Sequence, residues 1–305
     1  MHLTGTIPLE FGNLHKLLFL DFGSNQMKGT VPSTIGSLKR LTHLAFALNE
    51  FSGPLPSELG QILDLTHVLA HENLFTGTIS TEFGLLQNLE YLGLATNAFT
   101  GMIPTQCGYL SQLLSMSLFR NDFTGTIPTQ VGHLTNLELL DLSENSFSGS
   151  LPSQLSMLES LAVLNLWGNK LTGQIPSEIG GLRRLTSLSL SSNLLSGTIP
   201  TTVGSLRRLA QLVLGRNPVT GPIPSEVGLL TDLQGLYVSD SLILGPIPSE
   251  LGQLTMLTDL SLYLTPQLSG TVPLEICNLS SLQSLVVDCV RVPCPAVGCS
   301  ACRCI

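Results

Sequence analysis

The chain has 305 residues, with 13 lysines and arginines against 21 aspartates and glutamates, a formal charge of −8. So acidic a balance removes any general electrostatic reason to bind nucleic acid. Mean hydropathy is positive, yet no run approaches the roughly 18 consecutive apolar residues of a membrane span, so the apolar content reads as a distributed core.

The first residues, Met1-His2-Leu3-Thr4-Gly5-Thr6-Ile7-Pro8, open in the middle of a pattern that recurs every 24 residues. From Asn25 onward an asparagine marks each period, at Asn49, Asn73, Asn97 and on to Asn217. A glycine follows four residues later, as at Gly29 and Gly53, and a proline three further on, as at Pro32 and Pro56, with Ser80 the exception. A fixed period of this length marks a solenoid, here about eleven units with the first cut short. The start carries neither a basic and apolar leader nor a polar capping repeat. It therefore reads as the start of a truncated protein whose signal peptide is missing.

Each unit has the form L-x-x-L-x-L-x-x-N-x-L-x-G-x-I-P-x-x-L-G-x-L-x-x, clearest from Leu137 through Leu140, Leu142, Asn145, Gly149 and Pro152 to Leu158. The L-x-L step has period two, so it predicts a short strand with its leucines on one face. One unit cannot bury that face alone, and stacking must close the core. The asparagine amide has donor and acceptor capacity enough to tie its own turn to the next. The glycine suits a positive φ, and the proline starts an outer arc. Pairs such as Ser57-Glu58 and Ser177-Glu178 then predict a short helical or 3-10 turn, its acid set against unpaired N–H groups.

Solvent-facing strand positions are the third, fifth, seventh and eighth of the unit. They include His43, His67 and His71, two of them one period apart. Such a group is ordinary polar surface, a patch that titrates near neutrality, or a weak metal candidate; no metal or other cofactor is assigned. Tyr91, Phe119 and the sole tryptophan, Trp167, follow, with Arg120, Asp141, Glu144 and Asn165 between them. Exposed aromatics dominate interface energetics, so these ten residues form the predicted ligand-binding face. Cys107 fills a slot held elsewhere by Phe83 and Val131 and reads as a buried free thiol. Arg183-Arg184 and Arg207-Arg208 stack one repeat apart, as a solvated rim or an anion site. Threonines after the turn glycine, such as Thr6, Thr30, Thr78 and Thr126, form an interrupted row that could match a lattice.

Toward the end Ser241 and Pro266 replace the ladder asparagine, and the spacing from Pro248 to Pro273 lengthens to 25. Cys277, Cys289, Cys294, Cys299, Cys302 and Cys304 crowd the last 29 residues. They predict a disulfide-stapled cap in an oxidising compartment, with the pairing left open and zinc the competing reading. Asn278-Leu279-Ser280 is a glycosylation sequon beside it. Nothing resembles a catalytic motif, so no enzyme is expected.

The L-x-G-x-I-P segment, as at Leu171-Thr172-Gly173-Gln174-Ile175-Pro176, resembles the consensus of plant-type leucine-rich repeats across nearly the whole chain. The resemblance implies an α/β repeat solenoid. It would be a right-handed curved superhelix with a concave parallel β-sheet, short lateral strands contributed by the G-x-I-P segment, and convex 3-10 or helical turns. Residues 1–288 would form the solenoid and 289–305 the Cys-rich cap. By the same resemblance the chain is similar to ectodomains of receptor-like kinases, receptor-like proteins and polygalacturonase-inhibiting proteins. It implies an extracellular or cell-surface module that binds a peptide, protein or cell-wall glycan on its concave face, as part of a signalling receptor. A secreted inhibitor of a cell-wall hydrolase and a lattice-, ice- or polysaccharide-binding protein are the alternatives. No nucleic-acid partner and no membrane span within the chain are expected, although the full-length protein could be membrane-anchored.

Overall fold

The computed structural model describes residues 2–295, 299 and 301–304, without the side chain of Cys304. The chain divides into two compact units, Met1–Ser148 and Gly149–Ile305. Both are stacks of the same coil. In the first, the strands Phe19–Asp21, His43–Ala45, His67–Leu69, Tyr91–Gly93, Ser115–Ser117 and Leu139–Asp141 run parallel. Their register places equivalent residues side by side, Leu20 beside Leu44 and Leu44 beside Val68. In the second, Val163–Asn165, Ser187–Ser189, Gln211–Val213, Gly235–Tyr237, Asp259–Leu262, Ser284–Val287 and Cys302–Cys304 do the same. The predicted leucine-rich repeat solenoid is thus present in each unit.

The asparagine ladder explains the strict period. Asn121 donates from Nδ2 to the carbonyls of Leu94 (3.0 Å), Leu118 (3.1 Å) and Phe119 (3.3 Å), and its Oδ1 accepts the Phe99 N–H (3.0 Å). Asn193 repeats the pattern with Leu166, Leu190, Ser191 and Leu171. One buried amide therefore satisfies the groups that the turn would otherwise strand. Near the end the slot is filled by Ser241 and by Thr265, whose hydroxyls reach only the carbonyls of Val238 (2.7 Å) and Leu262 (2.6 Å). Thr265, 2% exposed, takes the place expected of Pro266, which is exposed and has no hydrogen-bonding side chain. The extra residue enters after the slot.

Each outer arc is a five-residue 3-10 turn such as Ser33–Ser37, entered from a proline with extended backbone (Pro32, φ −72°, ψ 143°). Gly36 in that turn lies so close to the next one that a Cβ would sit 2.6 Å from the Glu58 Cβ and 2.7 Å from its carbonyl oxygen. A single α-turn, Leu274–Cys277, ends the series among the described residues.

The lateral strands differ from the expectation. In most repeats they precede the G-x-I-P segment and stop at the glycine, as in Gln26–Gly29 and Glu50–Gly53. The physical reason is the positive φ of that glycine, 81° at Gly29 and 72° at Gly53, which turns the chain out of extended geometry. The corner at position eight was not foreseen. Ser24, Leu48, Glu72, Thr96, Arg120, Glu144, Ser192, Arg216, Asp240 and Leu264 all have φ between 49° and 59°, a conformation that L-residues adopt reluctantly.

The core also differs between the units. In Met1–Ser148, Phe51, Phe75, Phe99, Phe123 and Phe147 stack with centroids 6.0–6.1 Å apart, all fully buried. In the second unit Leu171, Leu195, Val219 and Ile243 hold the same slot.

At the C-terminal end, Cys277 is bonded to Cys299 and Cys294 to Cys302, and Cys289 is disulfide-bonded as well. The Cys304 side chain lies outside the described residues. The strand Cys302–Cys304 pairs with Ser284–Val287, so the stapled segment covers the edge of the last repeat, as a cap must.

We predict that Asn121→Ala lowers the unfolding free energy by about 3 kcal/mol, because it strands a buried N–H and several carbonyls at once. Chemical denaturation with hydrogen exchange would measure this, and a loss below about 1 kcal/mol would contradict the role given to the ladder.

Candidate functional site

On the sheet face of Met1–Ser148 the third strand positions carry rings on four successive strands. Phe19 stacks on His43 (centroids 4.2 Å, planes 19° apart), His43 on His67 (4.1 Å, 18°) and His67 on Tyr91 (4.5 Å, 23°). In-register parallel pairing forces this column, because equivalent residues on neighbouring strands face one another at strand spacing. Phe19, 61% exposed, was missed as a site residue, although it lies one period before His43.

Hydrogen bonds anchor both imidazoles through Nδ1. Thr42 Oγ1 lies within hydrogen-bonding distance of both the Leu18 carbonyl (3.0 Å) and His43 Nδ1 (2.9 Å). Thr66 Oγ1 lies likewise between the Thr42 carbonyl (3.0 Å) and His67 Nδ1 (2.9 Å). In both rings Nδ1 is thereby engaged and Nε2 is the nitrogen left for a ligand, an acceptor in the tautomer that carries the proton on Nδ1. Burial pushes the His67 pKa below 6.5 and the neighbouring His43 adds to this, while Glu90 opposes it.

The column ends at Tyr91 because Ser115 follows in register. Beyond it lies a hollow of about 320 Å³ bounded by Tyr91, Phe119, His71 and Glu72, and floored by Gly93, Ala95, Ser115 and Ser117. Five of the predicted site residues are thus brought together: His43 and His67 in the column, and Tyr91, Phe119 and His71 around the hollow. Arg120, Asp141 and Glu144 lie outside its lining. Arg120 and Glu144 occupy the left-handed corner. The Asp141 carboxylate accepts the Ser143 N–H (3.0 Å) and hydroxyl (2.6 Å), a local turn contact.

In the second unit Trp167 is 38% exposed, and its indole N–H donates to Ser192 Oγ (3.2 Å). With Tyr237, Tyr263 and Arg216 it bounds a hollow of about 210 Å³ floored by small residues, among them Ser191, Gly215, Ser239 and Ser261. Burial, with Asp259 beside it, raises the Tyr237 pKa. Asn165 is outside this lining and accepts the Trp167 N–H (3.3 Å). A larger hollow of about 610 Å³ lies where the ladder asparagine is lost, bounded by Arg216, Asp240, Ser241, Leu264 and Pro266 among others. Arg216 and Asp240 line both hollows, and their corner position was the missed signal.

Two basic residues on the arc side bond to neutral groups. Arg207 donates to the Leu229 carbonyl, and Lys39 to the Gln61 carbonyl (3.3 Å) and side chain (3.0 Å). Cys107 is a buried free thiol whose pKa burial pushes up to about 12. Among the described residues no three His, Cys, Asp or Glu side chains gather as a metal site, and no helix is long and apolar enough to cross a membrane. Asn278, the sequon residue, is exposed.

Comparison with known proteins follows the same geometry. Family models described as leucine-rich repeat match residues 159–219 and 136–158. No curated protein sequence matches the chain. Among solved structures, the plant peptide hormone receptor RGFR1 in complex with RGF2 is similar over 99% of this chain and 57% of that one, at 29% identity and TM-score 0.81. The Leptospira interrogans leucine-rich repeat protein LIC12759 is 33% identical over 95% of this chain and 71% of its own, TM-score 0.78. A plant ice-binding protein is 27% identical over 80% and 81%, TM-score 0.66. The chain spans about half the length of the plant receptor chains that it matches.

Two measurements follow. NMR titration should place the His67 midpoint below the ordinary 6.5. A group whose folded pKa is depressed gives its full stability above the unfolded value and loses it as pH falls through that window, so acidification below 6.5 should destabilise Met1–Ser148; a midpoint above 6.5 would refute this. Separately, Cys107 should resist thiol reagents at neutral pH in the native protein and react once denaturant exposes it.

Proposed function

Because the chain belongs to the leucine-rich repeat family, in its plant-type form, we propose that it is a non-catalytic recognition module of the extracellular space. It binds a peptide or protein ligand on its sheet face, as the ligand-binding part of a receptor-like protein or kinase whose signalling output lies in a partner or in another segment of the protein. The observation that carries this reading is the pairing of ringed hollows with small-residue floors. Tyr91 and Phe119 flank one, Trp167 and Tyr263 the other. Aromatic walls over a floor of serine, glycine and alanine admit side chains of a ligand and desolvate them, which is how interface anchors gain their energy. The similarity to a peptide hormone receptor and the disulfide-stapled end support an extracellular setting.

A second reading is favoured by the lateral side. Thr4, Thr6, Thr76, Thr78, Thr124 and Thr126 flank turn glycines and are exposed, and a plant ice-binding protein has a similar fold. Lys28, Pro54 and Met102 interrupt this row, so it ranks below the sheet face.

The test is capture of ligand from a secreted peptide and protein fraction by the intact chain. Tyr91→Ala with Phe119→Ala, and separately Trp167→Ala, should weaken capture by about tenfold or more, as hot-spot truncations do. Undiminished capture by both variants would move the site off the sheet face. Ice recrystallisation inhibition that is lost on replacing Thr76 and Thr78 by lysine would favour the lateral reading instead.

A further inference from the structure

We infer that the sheet face of Met1–Ser148 receives a basic peptide segment, with arginine or lysine heads against the His43–His67 pair and the Tyr91–Phe119 hollow, and releases it on acidification. The site is the one on which the recognition reading rests, and three observations narrow it to a ligand class.

Charge is the first. Met1–Ser148 holds five lysines and arginines against twelve aspartates and glutamates, a formal −7 of the chain's −8, and all six histidines. On its strand and corner positions Arg120 stands alone against Asp21, Glu72, Asp141 and Glu144. A cationic ligand is drawn to this face and an acidic one repelled.

Hydrogen bonding is the second. The threonine contacts occupy Nδ1 of both histidines, so Nε2 is what each ring offers a ligand, and in the tautomer protonated at Nδ1 the pair presents two acceptors. Acceptors suit guanidinium and ammonium groups, which are donors only. Turning either ring to offer Nδ1 instead would break its threonine contact.

The third is the hollow. Tyr91 has His67 on one side and Ser115 in register on the other, so the hollow offers an aromatic wall on each flank, with Glu72 on its lining. Aromatic faces and a carboxylate together form a cation seat, and a guanidinium stacks there more readily than a neutral group.

Protonation reverses the first two features. A proton on either imidazole removes an Nε2 acceptor and adds a positive charge beside the ligand. The groups facing the pair are Asp21 on the strand before and Glu90 and Tyr91 on the strand after, with His71 and Glu72 at the end of the His67 strand. Glu90 favours the proton, while His43 and burial disfavour it at His67. Binding should therefore be full near neutrality and fall as pH drops below the histidine range.

The experiment uses the full chain with acetyl-triarginine amide and acetyl-triglutamate amide as probes, read by histidine side-chain NMR and by calorimetry. Triarginine should perturb the His43 and His67 Nε2 signals and bind about tenfold more weakly at about pH 5.5 than at about pH 7.5, the effect of one like charge added nearby. Triglutamate should not bind. His43→Phe with His67→Phe keeps the stack but removes both Nε2 atoms, and should weaken triarginine binding at about pH 7.5 and narrow its difference from about pH 5.5, leaving only what His71 on the hollow contributes. Preference for triglutamate, equal triarginine affinity at both pH values in the unsubstituted chain, or binding that leaves the ring signals unmoved would overturn the inference. If the captured ligand depends on Tyr91 and Phe119 while triarginine does not bind, only the ligand class falls; if capture ignores those rings, the recognition reading falls with it.

Discussion

A buried side-chain amide that bonds to backbone in two neighbouring turns sets the terms for everything else in this protein. Asn121 reaches back to Leu94, closes its own turn at Leu118 and Phe119, and holds the Phe99 N–H. Those bonds form only if each coil returns to the same place after the same number of residues. Strict periodicity is therefore a hydrogen-bonding requirement before it is a packing one. Once the period is fixed, equivalent residues stack, and columns of like side chains appear on every face. The phenylalanine spine, the ring column on the sheet face and the row of glycines beneath the outer arcs are three consequences of one constraint.

The scaffold was legible because its signals are local and repeated. Asparagine, glycine and proline at fixed offsets announce the turn, the positive φ and the outer arc, and the Cys-rich end announces its staple. What escaped had no residue signature of its own. The left-handed corner accepts serine, leucine, arginine and aspartate alike, so no amino-acid preference reveals it. Position counting offered Pro266 for the ladder slot, whereas hydrogen bonding selects Thr265. Most lateral strands sit ahead of the segment expected to carry them, because a glycine with positive φ turns the chain there, although Ser146–Ser150 and Lys170–Gln174 run one residue past it.

The candidate site was legible only in part, for a related reason. His43 and His67 are one period apart, so their proximity follows from the repeat. Their anchoring through Nδ1 does not, since it depends on Thr42 and Thr66 standing beside the rings. Asp141 and Asn165 looked like ligand contacts because they are polar and face outward. Each also bonds the backbone at the strand end beside it, Asp141 at Ser143 and Asn165 at Trp167, a local role that polarity alone does not reveal. The two units also differ in character: one is acidic, histidine-bearing and phenylalanine-cored, while the other has an aliphatic spine with a tryptophan and serines on its sheet face.

The corner at position eight separates two demands that usually compete. Its backbone is held by bonds from the strand's own register, such as Arg120 N–H to the Ser143 carbonyl, and its side chain takes no part in the core. Gly168 adopts the same conformation, so the fold tolerates having no side chain there at all. The residue at each corner is thus free to drift without disturbing folding, and a row of such corners is an alphabet that selection can rewrite one letter at a time. Recognition can diversify along this edge while the coil beneath it stays unchanged.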